Sequence, residues 1–208
     1  MSLFEKISNN QAIYISGTPC TGKTTIATKL NECLSDNEFN SCFIKINDFA
    51  IENDLVLGED PDKYYKVINI DGLNHALNER IDDFFRNDGV SSDVSNETES
   101  KNIVIVEGHL SHLCEGADKL IVLRLNPSLL KERLEERNYS QSKIHENLEA
   151  EALAVCSAEA YELYNQNAYE IDTSGKSTED VLDIILKIIS DELESPLGTV
   201  DFMDWFLE

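Results

Sequence analysis

Short apolar runs at 12–15, 42–46, 103–106, 120–123 and, more weakly, 169–171 are each bounded by turn residues. They read as buried strands, and the stretches between them carry helical periodicity. Strand and helix alternating in this way predict an α/β domain, a parallel sheet with helices on both faces. Helix ends are marked in places. Asn126 followed by Pro127 reads as an N-cap and first helical position. Ser177-Thr-Glu-Asp180 reads as a capping box that opens a helix running to about Leu193. The stretch 142–164 is rich in Glu and Ala, lacks Gly and Pro, and reads as one long helix. Residues 87–101 (NDGVSSDVSNETESK) break the pattern and read as a mobile surface insertion before a strand. Residues 195–198 read as a linker. The tail after it carries Phe202, Trp205 and Phe206, a cluster expected to pack on its own domain, with a partner surface as the alternative.

A chain of 208 residues suits one domain, here taken as 1–208, with room for one insertion. No apolar run is long enough to cross a membrane, and residues 1–10 lack the pattern of a secretory signal, so a cytoplasmic location is expected. Five scattered cysteines form no CxxC pair and no zinc-ligand spacing, and read as reduced thiols. The net charge of −23 argues against binding free nucleic acid. It fits either solubility or attraction to a basic protein partner.

The strongest chemical signal is GTPCTGKT at 17–24, a match to G-x-x-x-x-G-K-[ST] placed after a strand and before a helix beginning at Lys23. Gly17 and Gly22 let the loop wrap an anion, and Thr21 lies within it. The helix N-terminus adds partial positive charge. Lys23 is placed to reach the β- and γ-phosphates of ATP, and the Thr24 hydroxyl to ligate Mg²⁺. Cys20 occupies a position often held by glycine. Beside a helix N-terminus and Lys23 its thiol is either reactive or shielded.

No N-K-x-D motif is present, which argues against a GTPase and leaves small-molecule kinases. The third strand ends in Val106-Glu-Gly-His109. Glu107 would hold Mg²⁺ through water, and Gly108 and His109 would sit at the mouth of the site; a structural role is the alternative for His109. Arg133 and Arg137, four residues apart, would share a helix face and reach the phosphates, unless they merely pair with Glu132, Glu135 and Glu136 on the surface.

Four ordered blocks, GTPCTGKTT at 17–25, VEGHLSHL at 106–113, RLEERNYSQSKIHENLEAE at 133–151 and IDTSGKSTEDV at 171–181, resemble the adenylate kinase isoenzyme 6 family, also described as the coilin-interacting nuclear ATPase family, in its archaeal form. The likeness runs from about Gln11 to the C-terminus, interrupted at 87–101. It implies a three-layer P-loop fold with a five-stranded parallel sheet of order 2-3-1-4-5. It also implies a monophosphate-binding segment near 45–68 and a short lid near 136–146. Carried onto this chain, it implies Cys20, Gly22, Lys23, Thr24 and Thr25 on the ATP phosphates, Arg137 reaching them from the lid, and Lys176 near the adenine. Asn47 and Asp48 open the monophosphate site, and His109 matches a histidine linked to ATP hydrolysis. The chain departs from the family at Cys20 and Asn138, where glycine is usual, at Glu107 for aspartate, and at Ile51, where eukaryotic members carry arginine. The implied activity is ATP + AMP giving two ADP, with ATP hydrolysis. The implied partner is a basic protein of the small ribosomal subunit during its assembly. A nucleotide-switched assembly factor with little kinase activity is the alternative.

Overall fold

Three strands are buried along their whole length, β1 (Gln11–Ser16), β3 (Asn102–Glu107) and β4 (Lys119–Arg124), and only a sheet covered on both faces allows that. In this computed structural model, which describes residues 3–59, 66–87 and 101–207, they form the centre of a five-stranded parallel sheet. β2 (Asn40–Lys45) lies on one edge and β5 (Ala168–Asp172) on the other, giving the order β2-β3-β1-β4-β5. This is the expected 2-3-1-4-5 arrangement. The expected insertion lies almost entirely outside the described residues.

Successive strand residues serve opposite faces. Ile13, Ile15, Ile103, Ile105, Ile121 and Leu123 meet α2 (Lys23–Asp36) and α8 (Thr178–Ile189) on one side. Ala12, Tyr14, Val104, Val106, Leu120 and Val122 meet α3 (Ile46–Glu52), α4 (Ile70–Asn87) and α7 (Val155–Tyr164) on the other. A third, smaller cluster joins Cys20 to Leu130 and Leu134 of α5 (Pro127–Glu136) and to Ile144 and Leu148 of α6 (Gln141–Ala152). The short helix α1 (Leu3–Lys6) covers one end of the sheet, where Phe4 lies 6.2 Å from Phe39.

The helix caps at Asn126 and Ser177 form as expected. Other boundaries are corrected. Ile46 opens α3 rather than closing β2, because its side chain is fully buried against the sheet face. The last helix ends at Ile189, and Glu192 and Leu193 donate back to the Lys187 carbonyl. The stretch 142–164 is two helices, broken where Ala154 adopts a left-handed conformation with φ 53°. A continuous helix would have kept Leu148 and Ala160 on one rod; instead they belong to different clusters. Glu151, next to the break, turns into the core and meets the buried Arg124 at 2.8 Å. Those contacts offset a left-handed cost of about 1–2 kcal/mol.

Residues 195–198 are not a free linker. Ser195 accepts from the Glu170 amide at 2.9 Å, and Pro196 bridges to Tyr169, so the segment covers the open edge of β5. The chain then crosses Arg124, whose guanidinium lies 5.3 Å from the Phe202 ring centre, and Trp205 packs on the α5–α6 cluster.

Candidate functional site

The loop between β1 and α2 closes on a buried lysine. Gly17 has φ 135°, and a Cβ there would stand 2.3 Å from the Leu123 carbonyl oxygen, so the loop can pass β4 only with glycine at that position. Cys20 (φ 70°) and Gly22 (φ 105°) make the two further left-handed turns. The Cys20 side chain is buried in the α5–α6 cluster, which favours the shielded state over the reactive one. Lys23 donates to the Gly17 and Thr18 carbonyls, each at 2.8 Å. Burial holds its proton affinity below that of a free lysine, while Glu107 works in the opposite direction. The first turn of α2 has no side-chain cap and no acidic residue, so its amides and dipole face the cleft uncompensated.

That cleft, about 420 Å³, brings together Cys20, Gly22, Lys23, Thr24, Thr25, Asn47, Asp48, Glu107, Gly108, His109 and Arg137. Lys45, Tyr139 and Asn147 also line it; Lys45 and Tyr139 fall within the expected monophosphate segment and lid, and Asn147 was not singled out from sequence. Three cations, Lys23, Lys45 and Arg137, thus share one recess of a chain with net charge −23. His109 is exposed at the mouth, yet it sits far enough into the recess for desolvation to push its pKa down to about 4, assisted by Lys23 and His112. It is therefore neutral at pH 7.

Arg133 and Arg137 part company. The helix ends at Glu136 and Arg137 is its C-cap. Arg137 enters the cleft, whereas Arg133 donates to the Cys20 carbonyl at 3.3 Å. Arg133 lines a second cavity of about 220 Å³ behind the loop, together with Thr21, Gly22, Thr25 and Lys176. The two stay one helical turn apart, the Arg137 amide donating to the Arg133 carbonyl at 3.3 Å, but they line different cavities. Gly17 lies under the loop and lines neither cavity.

A third cavity, about 690 Å³ and mainly apolar, adjoins the cleft through Pro19, Asn47, His109 and Asn147. Ile51, Ile68, Leu110 and Leu113 wall it. These come from α3, from one of two short antiparallel strands (Val56–Glu59 and Lys66–Ile68), and from the turn after β3.

Beneath the loop runs a relay that the sequence did not disclose. The Ser16 hydroxyl and His112 Nδ1 are 2.7 Å apart, and His112 Nε2 lies 2.8 Å from a Glu159 carboxylate oxygen. Ser16 is fully buried. Ser111 adds bonds from its hydroxyl to the Ile15 and Gly108 carbonyls, at 3.0 and 2.8 Å. Together they fix the turn bearing Glu107, Gly108 and His109 against the end of β1.

Residues 13–154 match the AAA domain family. A protein of Methanothermobacter thermautotrophicus named "Putative adenylate kinase" is 38% identical over 195 residues, covering 94% of this chain and 99% of its own. One of the same name from Pyrococcus furiosus is 37% identical, covering 91% of this chain and 90% of its own. Among solved structures, an uncharacterized protein from Eubacterium ventriosum is 11% identical, with a TM-score of 0.50 over 88% of this chain and 99% of that one, a likeness of fold alone.

The depressed His109 and His112 pKa values carry a consequence for stability. Below pH 6.5 the unfolded chain binds protons at both positions that the folded chain resists, at His109 down to about pH 4, so stability falls as pH falls through this window. Denaturant unfolding at pH 7 and pH 5 should show a loss that is smaller in His109→Gln. An equal loss in the variant would show that His109 does not contribute.

Proposed function

The chain belongs to the AAA domain family and to the same family as the two proteins named for adenylate kinase, and from that premise we propose that it transfers a phosphoryl group reversibly between ATP and AMP, as an archaeal-type member of the adenylate kinase isoenzyme 6 family. The observation carrying this reading is the pairing of two sites: a recess with Lys23, Lys45 and Arg137, and next to it a mainly apolar cavity with room for a base.

In this reading the ATP phosphates lie on the loop, and Lys23 exchanges its two carbonyl partners for them. Arg137 faces the migrating phosphoryl group from the opposite wall, while Arg133 and Lys176 take the base end. Asn47, Asp48 and Gly108 border the acceptor, whose base enters among Ile51, Ile68, Leu110 and Leu113. Positive charge on the equatorial oxygens and in-line positioning supply the rate. His109, neutral, orients the acceptor or a water molecule without adding charge. Segment 136–146 acts as the lid. Asn138, left-handed at φ 57°, takes a conformation that asparagine tolerates better than most residues.

The oxygen donors in the cleft, the Thr24 hydroxyl and the Glu107 carboxylate, suit Mg²⁺. Among the described residues no three His, Cys, Asp or Glu side chains gather into a metal site, which agrees with an ion held mostly by phosphates and water. When bound, it would neutralise charge on the β- and γ-phosphates.

Lys23→Met should abolish both AMP-dependent ADP formation and AMP-independent phosphate release, with an unchanged circular dichroism spectrum. With Ile51 in place of an arginine anchor, AMP should raise wild-type ADP output on the order of tenfold rather than several hundred-fold. Output indifferent to AMP would leave ATP hydrolysis as the activity.

The family resemblance suggests a second role that the net charge of −23 would suit, in which nucleotide state governs the grip on a basic protein of the small ribosomal subunit. Such an interface should capture the partner at low salt and release it as salt rises. No capture at low salt, with or without ATP, would remove this role.

A further inference from the structure

One buried polar cluster touches the phosphate loop from behind. The Thr18 side chain points away from the cleft and, in a residue only 2% exposed, donates its hydroxyl to Glu151. The carbonyl of the same residue receives Lys23 at 2.8 Å. Thr18 thus holds the loop cation with its backbone and a helix α6 carboxylate with its side chain.

Glu151 in turn accepts from the Arg124 Nε at 2.8 Å and from the Leu125 amide at 2.9 Å, and its carbonyl accepts from Arg124 Nη2 at 2.7 Å. Arg124 reaches Glu170 at 3.2 Å. The second Glu170 oxygen accepts from the amides of Thr199 and Val200, at 2.5 and 2.6 Å. Two carboxylates around one guanidinium leave an excess negative charge out of water, and these amide and hydroxyl donors offset it. Arg124 also lies on the Phe202 ring, and three residues later Trp205 returns to α6, 6.5 Å from the His145 ring. The path closes on itself: phosphate loop, Glu151, Arg124, C-terminal segment, α6.

A buried ion cluster adds little net stability relative to apolar packing, so its place against the loop calls for another account. We propose that Glu151 is a positioning residue for phosphoryl transfer: through the Thr18 hydroxyl it keeps the Lys23-accepting turn in register with α6 and the C-terminal segment, and nucleotide binding at the loop is thereby transmitted to Trp205. A phosphate that draws Lys23 from the Thr18 carbonyl leaves that carbonyl bonded only within the loop, to the Thr21 hydroxyl at 2.9 Å and amide at 3.3 Å. The Glu151 bond is then the tie that joins the turn to α6. This rests on the loop binding ATP, not on the identity of the acceptor.

Trp205 is the only tryptophan, so its fluorescence reads the far end of the path. Wild-type protein titrated with Mg²⁺–ATP should show a saturable change. Thr18→Val, which removes the hydroxyl at nearly constant shape, should bind ATP with less than about a threefold change by equilibrium dialysis, yet lose most of the fluorescence change. Its kcat should fall about tenfold, the worth of one buried hydrogen bond, with KM for ATP nearly unmoved. Thr18→Ser should restore both. If Thr18→Val does not fold, Phe202→Ala, which loosens the path from its other end, should show the same split of kcat from KM. Wild-type protein that binds ATP with silent fluorescence, Thr18→Val or Phe202→Ala with wild-type response and kcat, or Thr18→Ser as impaired as Thr18→Val would each overturn the inference. Failure of the wild type to bind ATP at all would overturn both this and the reading of the loop.

Discussion

The site depends on an ammonium group held where its charge is disfavoured. Lys23 is 7% exposed and bonded to two carbonyls of its own loop. Carbonyl dipoles compensate a buried cation only in part, and a phosphate compensates it fully. Much around the loop preserves this poise. Gly17 permits the turn beneath Leu123, Glu107 keeps a negative charge nearby, and the first turn of α2 leaves its amides open to the cleft.

The long-range field of a chain at −23 opposes an anionic ligand. Local placement overrides it, since charges within a few ångströms in a recess outweigh screened charges farther off. Lys45 and Arg137 arrive from separate elements to line the same cleft of about 420 Å³ as Lys23. The cavity alongside is mainly apolar and offers a surface that charge does not govern. His109 lines both and is neutral at pH 7, so it adds no charge between them.

The sheet was readable because strands buried on both faces leave unbroken apolar runs. The phosphate loop was readable because its backbone conformations dictate glycine at Gly17 and Gly22. What escaped was set by tertiary contacts. Nothing at Leu153 or Ala154 signals a helix break, which follows from Glu151 turning toward Arg124. Ser16, His112 and Glu159 form one relay from three distant positions, with no spacing to betray it. Arg133 and Arg137 look equivalent in sequence and differ in tertiary partners, Arg133 donating to the Cys20 carbonyl while Arg137 lines the cleft. The tail, whose role the aromatic residues left open, is placed by hydrogen bonds to Glu170 rather than by its rings alone.

The central claim is that the cationic recess and the apolar cavity hold two nucleotides end to end across one phosphoryl group. Titration calorimetry with two adenosines joined through five phosphates tests it directly, since that molecule fills both sites only if they are in line. The account predicts one molecule bound per chain, displacing both ATP and AMP, with binding lost in Lys23→Met. Displacement of ATP alone, with AMP indifferent to the bridged compound, would contradict it.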